Sequence, residues 1–285
     1  MDRTGYLGGS DMAAILGIDP FKTRLHVYLS AIGEPAHQDE TDAMAFGTMM
    51  EEPIARLLAH KTGREVLEAE HQVVHPEHDF LCARVDRQFD DEHGIEIKNV
   101  GRGMSRHWGP SGDPLGVAEH YLPQVHFYMV LGGYQRFTVV AYFGGSDLRI
   151  YNVERDDELS GLIIESAVEF WRSHVEPRIP PDPDFEHART PELIRKLYPG
   201  TTGEVIQASE DSEQWAAVYA DAISRAKVYE AAANSAKQHL LWAMGEAAVL
   251  EFDDGSKLKR NLVKRKGYEV AATEYMQASF VKSKG

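Results

Sequence analysis

Apolar residues return at helical spacing between residues 44 and 62. Met50, Ile54, Leu57 and Leu58 fall on related turns, and Gly63 follows as a stop. Two shorter helices are predicted before it. One spans 10–16, with Ser10 as N-cap and Gly17 behind it, and the other spans 23–32. After Gly63 the pattern changes to strand-like runs at 64–75, 79–89 and 94–100, with His93-Gly94 supplying the last turn. A glycine-rich loop at 101–117 leads to a helix at 119–131 and a hairpin, 136–143 and 148–154, around Gly144-Gly145. A helix at 157–176 closes this part. One or two alanine-rich helices at 211–246 and a hairpin, 249–252 and 258–264, across Asp253-Asp254-Gly255 complete the reading. The order helix, three strands, helix, two strands, helix predicts an α/β sandwich around a mixed sheet.

The sharpest break is Arg178-Ile179-Pro180-Pro181-Asp182-Pro183-Asp184, where three prolines stand in four positions. It divides the chain into an expected core at 1–180, a linker at 181–208 and a helical appendage with a basic hairpin at 209–285. A length of 285 residues supports a substantial core. The single cysteine, Cys82, excludes an internal disulfide and fits a reducing cytoplasm; its apolar neighbours suggest a buried thiol. The polar start carries no signal peptide, and no apolar run is long enough for a bilayer, so no membrane partner is expected. A net charge of −15 argues against a protein that coats nucleic acid, yet the charge is uneven. Residues 256–285 hold eight basic against two acidic side chains, a local +6. Lys257, Lys259, Arg260, Lys264, Arg265 and Lys266 are candidate contacts to a DNA backbone, with a solvated face as the plain alternative.

Candidate chemistry lies at Val85-Asp86 and Gly94-Ile95-Glu96-Ile97-Lys98. Two carboxylates separated by a hairpin-length gap can converge on one divalent cation. Strand alternation puts Glu96 and Lys98 on one face, with the Ile97 backbone carbonyl within reach of the metal. Carboxylates and a carbonyl form the hard-oxygen set preferred by Mg2+ or Mn2+. Lys98 then stands where it can orient, or help deprotonate, a water attacking phosphate. Taken alone, Glu-x-Lys in a strand is equally a solvated edge. His71, His75 and His78 lack a cysteine pair and a converging geometry, so zinc is not expected. His107-Trp108 offers an aromatic for a frayed DNA end, or a loop-packing tryptophan.

Several further segments fall in the order of a known family. Arg3 and Leu7-Gly8-Gly9-Ser10-Asp11, Ala45-Phe46-Gly47-Thr48-Met49-Met50-Glu51, Phe80-Leu81-Cys82-Ala83-Arg84-Val85-Asp86, Glu96-Ile97-Lys98 and His120-Tyr121-Leu122-Pro123-Gln124 together resemble the YqaJ-like viral recombinases. That family belongs to the PD-(D/E)XK nucleases and includes phage lambda exonuclease. The likeness runs over most of 3–177, with Arg149, Tyr151, Arg155-Asp156 and Phe170-Trp171 in its closing part. Two positions depart: Val85 stands where proline is usual before the aspartate, and Arg87 where glycine is common after it.

The resemblance implies a restriction-endonuclease-like core with a mixed central sheet flanked by helices. It implies Glu51, Asp86, Glu96 and the Ile97 carbonyl as metal ligands, Lys98 and Gln124 as catalytic groups, and Arg3 with Ser10 as holders of a 5′ phosphate. The implied activity is 5′-to-3′ exonucleolytic hydrolysis of double-stranded DNA from its ends, leaving 3′ single strands for phage recombination in a bacterial host. The implied partners are a single-strand annealing protein and further copies of the chain in a trimer. A structure-selective or defence endonuclease, and a non-catalytic DNA-binding protein, are the alternatives. The alanine-rich helix is an oligomer interface, a DNA clamp or a lid; Ala216-Ala217 and Ala231-Ala232-Ala233 permit close helix packing.

Overall fold

The computed structural model describes residues 4–34, 42–69, 72–113 and 115–262. These fall into two compact units, 1–199 and 200–285. The first begins with β1 (Leu7–Gly8), a 3-10 turn (Gly9–Asp11), α1 (Met12–Ile15), α2 (Arg24–Ala31) and the long α3 (Asp42–Thr62). Strands β2 (Leu67–Glu68), β3 (Val73–Val74), β4 (Leu81–Ala83), β5 (Arg87–Asp90) and β6 (His93–Val100) follow. Then come α4 (Leu122–Gly132), β7 (Arg136–Phe143), β8 (Asp147–Glu154), α5 (Asp157–Phe170) with a π-turn at Trp171–Val175, and α6 (Thr190–Leu197).

Five strands form the main sheet in the order β2-β5-β6-β7-β8. Only β6 and β7 run parallel, from His93↔Arg136 to Val100↔Phe143; the other neighbours are antiparallel. The parallel pair requires a crossover, which α4 supplies. A smaller sheet, β1-β4-β3, stands beside it. This is a mixed α/β arrangement, a mixed sheet with helices on both faces.

Alternation along β6 decides what each face does. Ile95 and Ile97 pack against Ile54, Ala55 and Leu58 of α3. Glu96 and Lys98 point to the other face, where α4 covers the sheet and Phe127, Phe137, Tyr151 and Phe170 are fully buried. Burial of such rings contributes about 1.5–3 kcal/mol each by area, an upper estimate. Helix α4 carries Pro123 in its first turn and ends at Gly133, whose φ of 74° is the left-handed stop that glycine takes without a Cβ clash.

Three differences from the sequence reading matter. The runs expected as single strands at 64–75 and 79–89 each divide, because β3 and β4 join the small sheet while β2 and β5 join the large one. The switch falls at Arg84-Val85-Asp86 and puts Asp86 between sheets. The segment expected as a linker folds in part onto the core: Thr190 and Leu193 are buried, and the His187 ring bonds the Asp19 carbonyl at 2.9 Å. The compact unit therefore runs past 180 to Pro199. The glycine-rich loop carries a 3-10 segment at Arg102–His107, and Trp108 behind it is buried against Tyr121, Phe143 and Tyr151.

The second unit holds α7 (Glu210–Met244), one continuous helix, and a hairpin of β9 (Val249–Glu251) and β10 (Lys257–Lys259). Ser209 caps α7 by accepting from the Ser212 N–H at 3.2 Å. Among the described residues no helix is long and apolar enough to cross a membrane.

Candidate active site

The site forms where β6, the β4–β5 junction, α3 and α4 meet. Leaving the small sheet at Ala83, the chain turns Asp86 toward β6, and its Oδ2 accepts the Ile97 N–H at 2.8 Å. A side chain thus takes the place of the missing strand neighbour. The Ile97 N–H and C=O lie on the same strand edge, so the Ile97 carbonyl also opens toward Asp86. Arg87 holds this junction: it donates to the Asp86 carbonyl at 2.7 Å and pairs with Glu52 at 3.1 Å and Glu68 at 3.5 Å. The arginine at this family-atypical position therefore ties β5 to α3.

Glu96 is 3% exposed. Its Oε1 receives the Lys98 ammonium at 2.6 Å and the Gln124 amide at 2.7 Å. Lys98 also donates to Gln124 Oε1 at 3.2 Å and lies over the Tyr121 ring at 4.8 Å. Gln124 completes its amide with the Tyr128 hydroxyl at 3.1 Å. The Tyr128 ring in turn lies on Gly9, where a Cβ would come within 2.3 Å of it. Glycine at position 9 is needed for that close approach.

Burial, and then the neighbouring Asp86 charge, push the Glu96 carboxyl up to about 8, against the pull of Lys98. Burial also raises Asp86, against Lys98 and the Ile97 N–H. Glu51 is raised by burial and by Asp86. Burial works to lower Lys98, but the Glu96 and Asp86 carboxylates outweigh it and hold the ammonium above its usual value. Mutually raised acids around one lysine are a frequent property of functional sites.

A cavity of about 330 Å³ joins Gly8, Gly9 and Ser10 to Thr48, Glu51, Arg84, Asp86 and Tyr128. Ser10 thus reaches the same cavity as Glu51 and Asp86. It does so from inside the 3-10 turn and not as the cap of a helix, since Asp11 takes the capping position. The Asp11 carboxylate accepts the Gly8 N–H at 2.8 Å and pairs with Lys22 at 2.6 Å. Helix α1 is only four residues long, so its dipole adds little at Ser10. Glu52, beside Glu51, is exposed and engaged by Arg56 and Arg87. A Cβ on Gly47 would meet nothing within 4 Å, which leaves that surface of α3 open.

Arg3, Lys264, Arg265, Lys266 and His71 lie outside the described residues. Lys257 pairs with Glu251 at 3.1 Å. Arg260 donates to the Gly245 carbonyl at 2.7 Å and so closes the end of α7. Arg84 is a cavity residue that motif reading passed over; its place two residues before Asp86 was the available clue.

The donor chemistry fits a hard divalent cation. Glu96 Oε2 is buried with no hydrogen-bond partner, and the electrostatics already set Asp86 and Glu51 against it. Asp86 and the Ile97 carbonyl add oxygen donors of the same kind. Among the described residues, no three His, Cys, Asp or Glu side chains stand close enough to enclose a metal without adjustment. Glu51, Asp86 and Glu96 therefore do not enclose an ion as they stand.

Asp86, just before β5, thus meets Glu96 and Lys98 of β6 inside a mixed α/β core. Residues 1–135 match the family model of the YqaJ-like viral recombinase domain. The uncharacterized protein YqaJ of Bacillus subtilis (strain 168) is 31% identical over 205 residues, 70% of this chain. The chain covers 63% of that relative's length. The crystal structure of an alkaline exonuclease from Laribacter hongkongensis is similar over 62% of this chain and 91% of its own, at 22% identity and a TM-score of 0.47. A structure of the exonuclease of the same name in complex with dAMP is similar over 69% and 96%, at 22% identity and a TM-score of 0.49.

Proposed function

We propose that this chain is a Mg2+-dependent exonuclease that degrades double-stranded DNA 5′ to 3′ from its ends and leaves a 3′ single strand for phage recombination. The observation that carries this reading is the continuity of one cavity from Gly8-Gly9-Ser10 to Glu51 and Asp86. A holder for a terminal phosphate and a hydrolytic centre then share one space.

In this reading Asp86, Glu96, Glu51 and the Ile97 carbonyl hold the metal, Mn2+ being the substitute of the same chemistry. When bound, the ion supplies Lewis-acid stabilisation of charge on the scissile phosphate and lowers the pKa of water. The protein's own groups do the rest. Lys98, fixed by Glu96 and Gln124, orients the attacking water and meets charge as it develops. Gln124 fixes Lys98 in turn, and Tyr128 fixes Gln124. Ser10, Arg84 and Arg3 hold the 5′ phosphate, the arginines by forked hydrogen bonds. The setting is the cytoplasm of a bacterial host, a single-strand annealing protein receives the product, and a trimer is the family's assembly.

One gel tests the reading. Linear and covalently closed circular duplexes are incubated with Mg2+ or EDTA. Loss of the linear substrate alone, with Mg2+ alone, supports the exonuclease. Nicking of circles makes it an endonuclease, and a band shift without cleavage makes it a binding protein.

A further inference from the structure

Asp11 ends the 3-10 turn of Gly9 and Ser10 and is 4% exposed, yet the proposed hydrolysis has no use for its charge. Its two oxygens are divided between two partners. Oδ2 accepts the Gly8 N–H at 2.8 Å, and Oδ1 takes the Lys22 ammonium at 2.6 Å. The first bond closes the Gly8-Gly9-Ser10 turn upon itself, and the second balances the buried charge. Without the ammonium that charge is left buried and unpaired, a costly state that the turn can relieve by letting water in. The hold on Gly8 then loosens. The flanks of the turn are fixed in other ways: Leu7 and Gly8 pair with Leu81 and Cys82 of β4, and Gly9 lies against the Tyr128 ring.

Lys22 does not line the nuclease cavity. It stands on a second, smaller cavity of about 70 Å³, beside Asp19, Asp182, Asp184 and His187. Its loop is held from two directions. Asp19 Oδ1 accepts the Phe21 N–H at 2.6 Å and the Lys22 N–H at 3.2 Å. The Asp19 carbonyl receives the His187 ring at 2.9 Å. His187 Nδ1 accepts the Arg189 N–H at 3.1 Å, which makes Nε2 the protonated nitrogen that donates to Asp19. The segment leading into α6 is therefore joined to the Gly8 amide through His187, the 19–22 loop, Lys22 and Asp11.

We propose that Lys22 is a positioning residue for the phosphate-holding turn, and that His187 keeps Lys22 in place from the segment before α6. The proposal rests on the reading of Gly8-Gly9-Ser10 as the holder of a 5′ phosphate. Preference for a phosphorylated end then depends on two side chains that touch neither DNA nor metal.

The test measures steady-state kinetics of the full chain with Mg2+ on short duplexes with and without a 5′ phosphate. Lys22→Met keeps the stem and removes the charge. It is expected to raise KM on the phosphorylated duplex about tenfold, the loss of roughly one hydrogen bond to a charged group. KM on the dephosphorylated duplex should stay near the parent's. Asp11→Asn/Lys22→Met removes both charges and keeps an acceptor for the Gly8 N–H, so its KM should return toward the parent's. A double variant no better than Lys22→Met, or a KM that rises equally on both duplexes, shows Lys22 reaching DNA by itself and overturns the proposal. A lower melting temperature with unchanged KM makes the ion pair merely structural and overturns it as well. If Lys22→Met does not fold, His187 carries the test. His187→Ala should raise KM on the phosphorylated duplex, and His187→Gln, whose amide still donates to the Asp19 carbonyl, should restore it; equal KM in both overturns the proposal. A parent that treats both ends alike removes the phosphate reading itself, and this proposal with it. A parent that prefers the phosphorylated end, with variants that keep that preference, sinks this proposal alone.

Discussion

The side-chain amide of Gln124 reaches across from α4 to Oε1 of Glu96 on β6 at 2.7 Å. Lys98 occupies the same oxygen from the strand itself, at 2.6 Å. Two donors on Oε1 leave Oε2, buried and without a hydrogen bond, as the oxygen a cation would take. Glu96 is thereby divided into a half that is fixed by the protein and a half that is suited to a metal.

Glu96→Gln should therefore retain the fold and lose cleavage. Its amide oxygen still accepts from Lys98 and Gln124, but the ligand charge is gone. The sign of the stability change follows from the raised carboxyl. Between the unfolded value near 4.3 and about 8, the unfolded chain releases the Glu96 proton and the folded one keeps it, so metal-less stability falls as pH rises. The variant should lack that fall and melt higher than the parent at pH 8 in EDTA. Scanning calorimetry at pH 6 and 8 checks this; full Mg2+-dependent activity in the variant removes Glu96 from the site.

Metal affinity should rise with pH. Below about 8, binding at Glu96 expels its proton, so affinity gains about tenfold per pH unit and then levels off. Titration calorimetry in two buffers of different ionisation enthalpy reads the proton directly. Equal affinity and no proton release at pH 6.5 and 8.5 would mean that Glu96 is not a ligand.

Gln124 is the positioning residue for Lys98. Gln124→Ala removes a partner from both Glu96 and Lys98 and should lower the single-turnover rate about 10- to 100-fold, with DNA affinity nearly unchanged. Lys98→Ala should cost at least about 100-fold, the low end for a positioned acid–base group. Tighter Mg2+ dependence without a rate loss in Gln124→Ala would assign it to metal binding instead.

Much of this was legible in the chain. Strand alternation alone put Glu96 and Lys98 on one face, because that property is local to β6. The hairpin of β7 and β8 followed from its apolar runs and Gly144-Gly145. The break at Arg84-Val85-Asp86 was not visible, since the run 79–89 holds no glycine or proline and only the competing sheets decide where it divides. Helix α6 was hidden behind the prolines, and its docking, with Leu193 buried and His187 just before it bonded to the distant Asp19 carbonyl, is encoded by no local pattern. Arg84 was overlooked because a single arginine in a strand run has no distinguishing spacing.

Duplexes with a 5′ phosphate should be degraded faster than dephosphorylated ones if the cavity beside Ser10 holds that group. Arg84→Ala and Ser10→Ala should shrink the ratio between the two substrates more than they slow the dephosphorylated one. The comparison needs only initial rates on end-labelled duplexes. A parent enzyme that treats both ends alike would take away the basis for the end-holding role and favour the endonuclease.

The basic hairpin yields the last prediction. Lys257 and Lys259 alternate onto one face of β10, but Lys257 already has Glu251 across the hairpin and Arg260 closes α7. If this face meets DNA, Lys259 is the cation with the larger share. Lys259→Gln should lower the slope of log affinity against log salt by about 0.9 on duplex, the loss of one phosphate contact. Lys257→Gln should lower it less, because Glu251 offsets part of that charge. Arg260→Gln should instead reduce the melting temperature of the second unit, since it leaves the Gly245 carbonyl without its guanidinium. Cleavage at saturating DNA should stay close to the parent in all three, because every proposed metal ligand lies before Gln124. Slopes measured by fluorescence anisotropy across several salt concentrations decide the matter, and a slope that Lys259→Gln leaves unchanged makes the hairpin a solvated face.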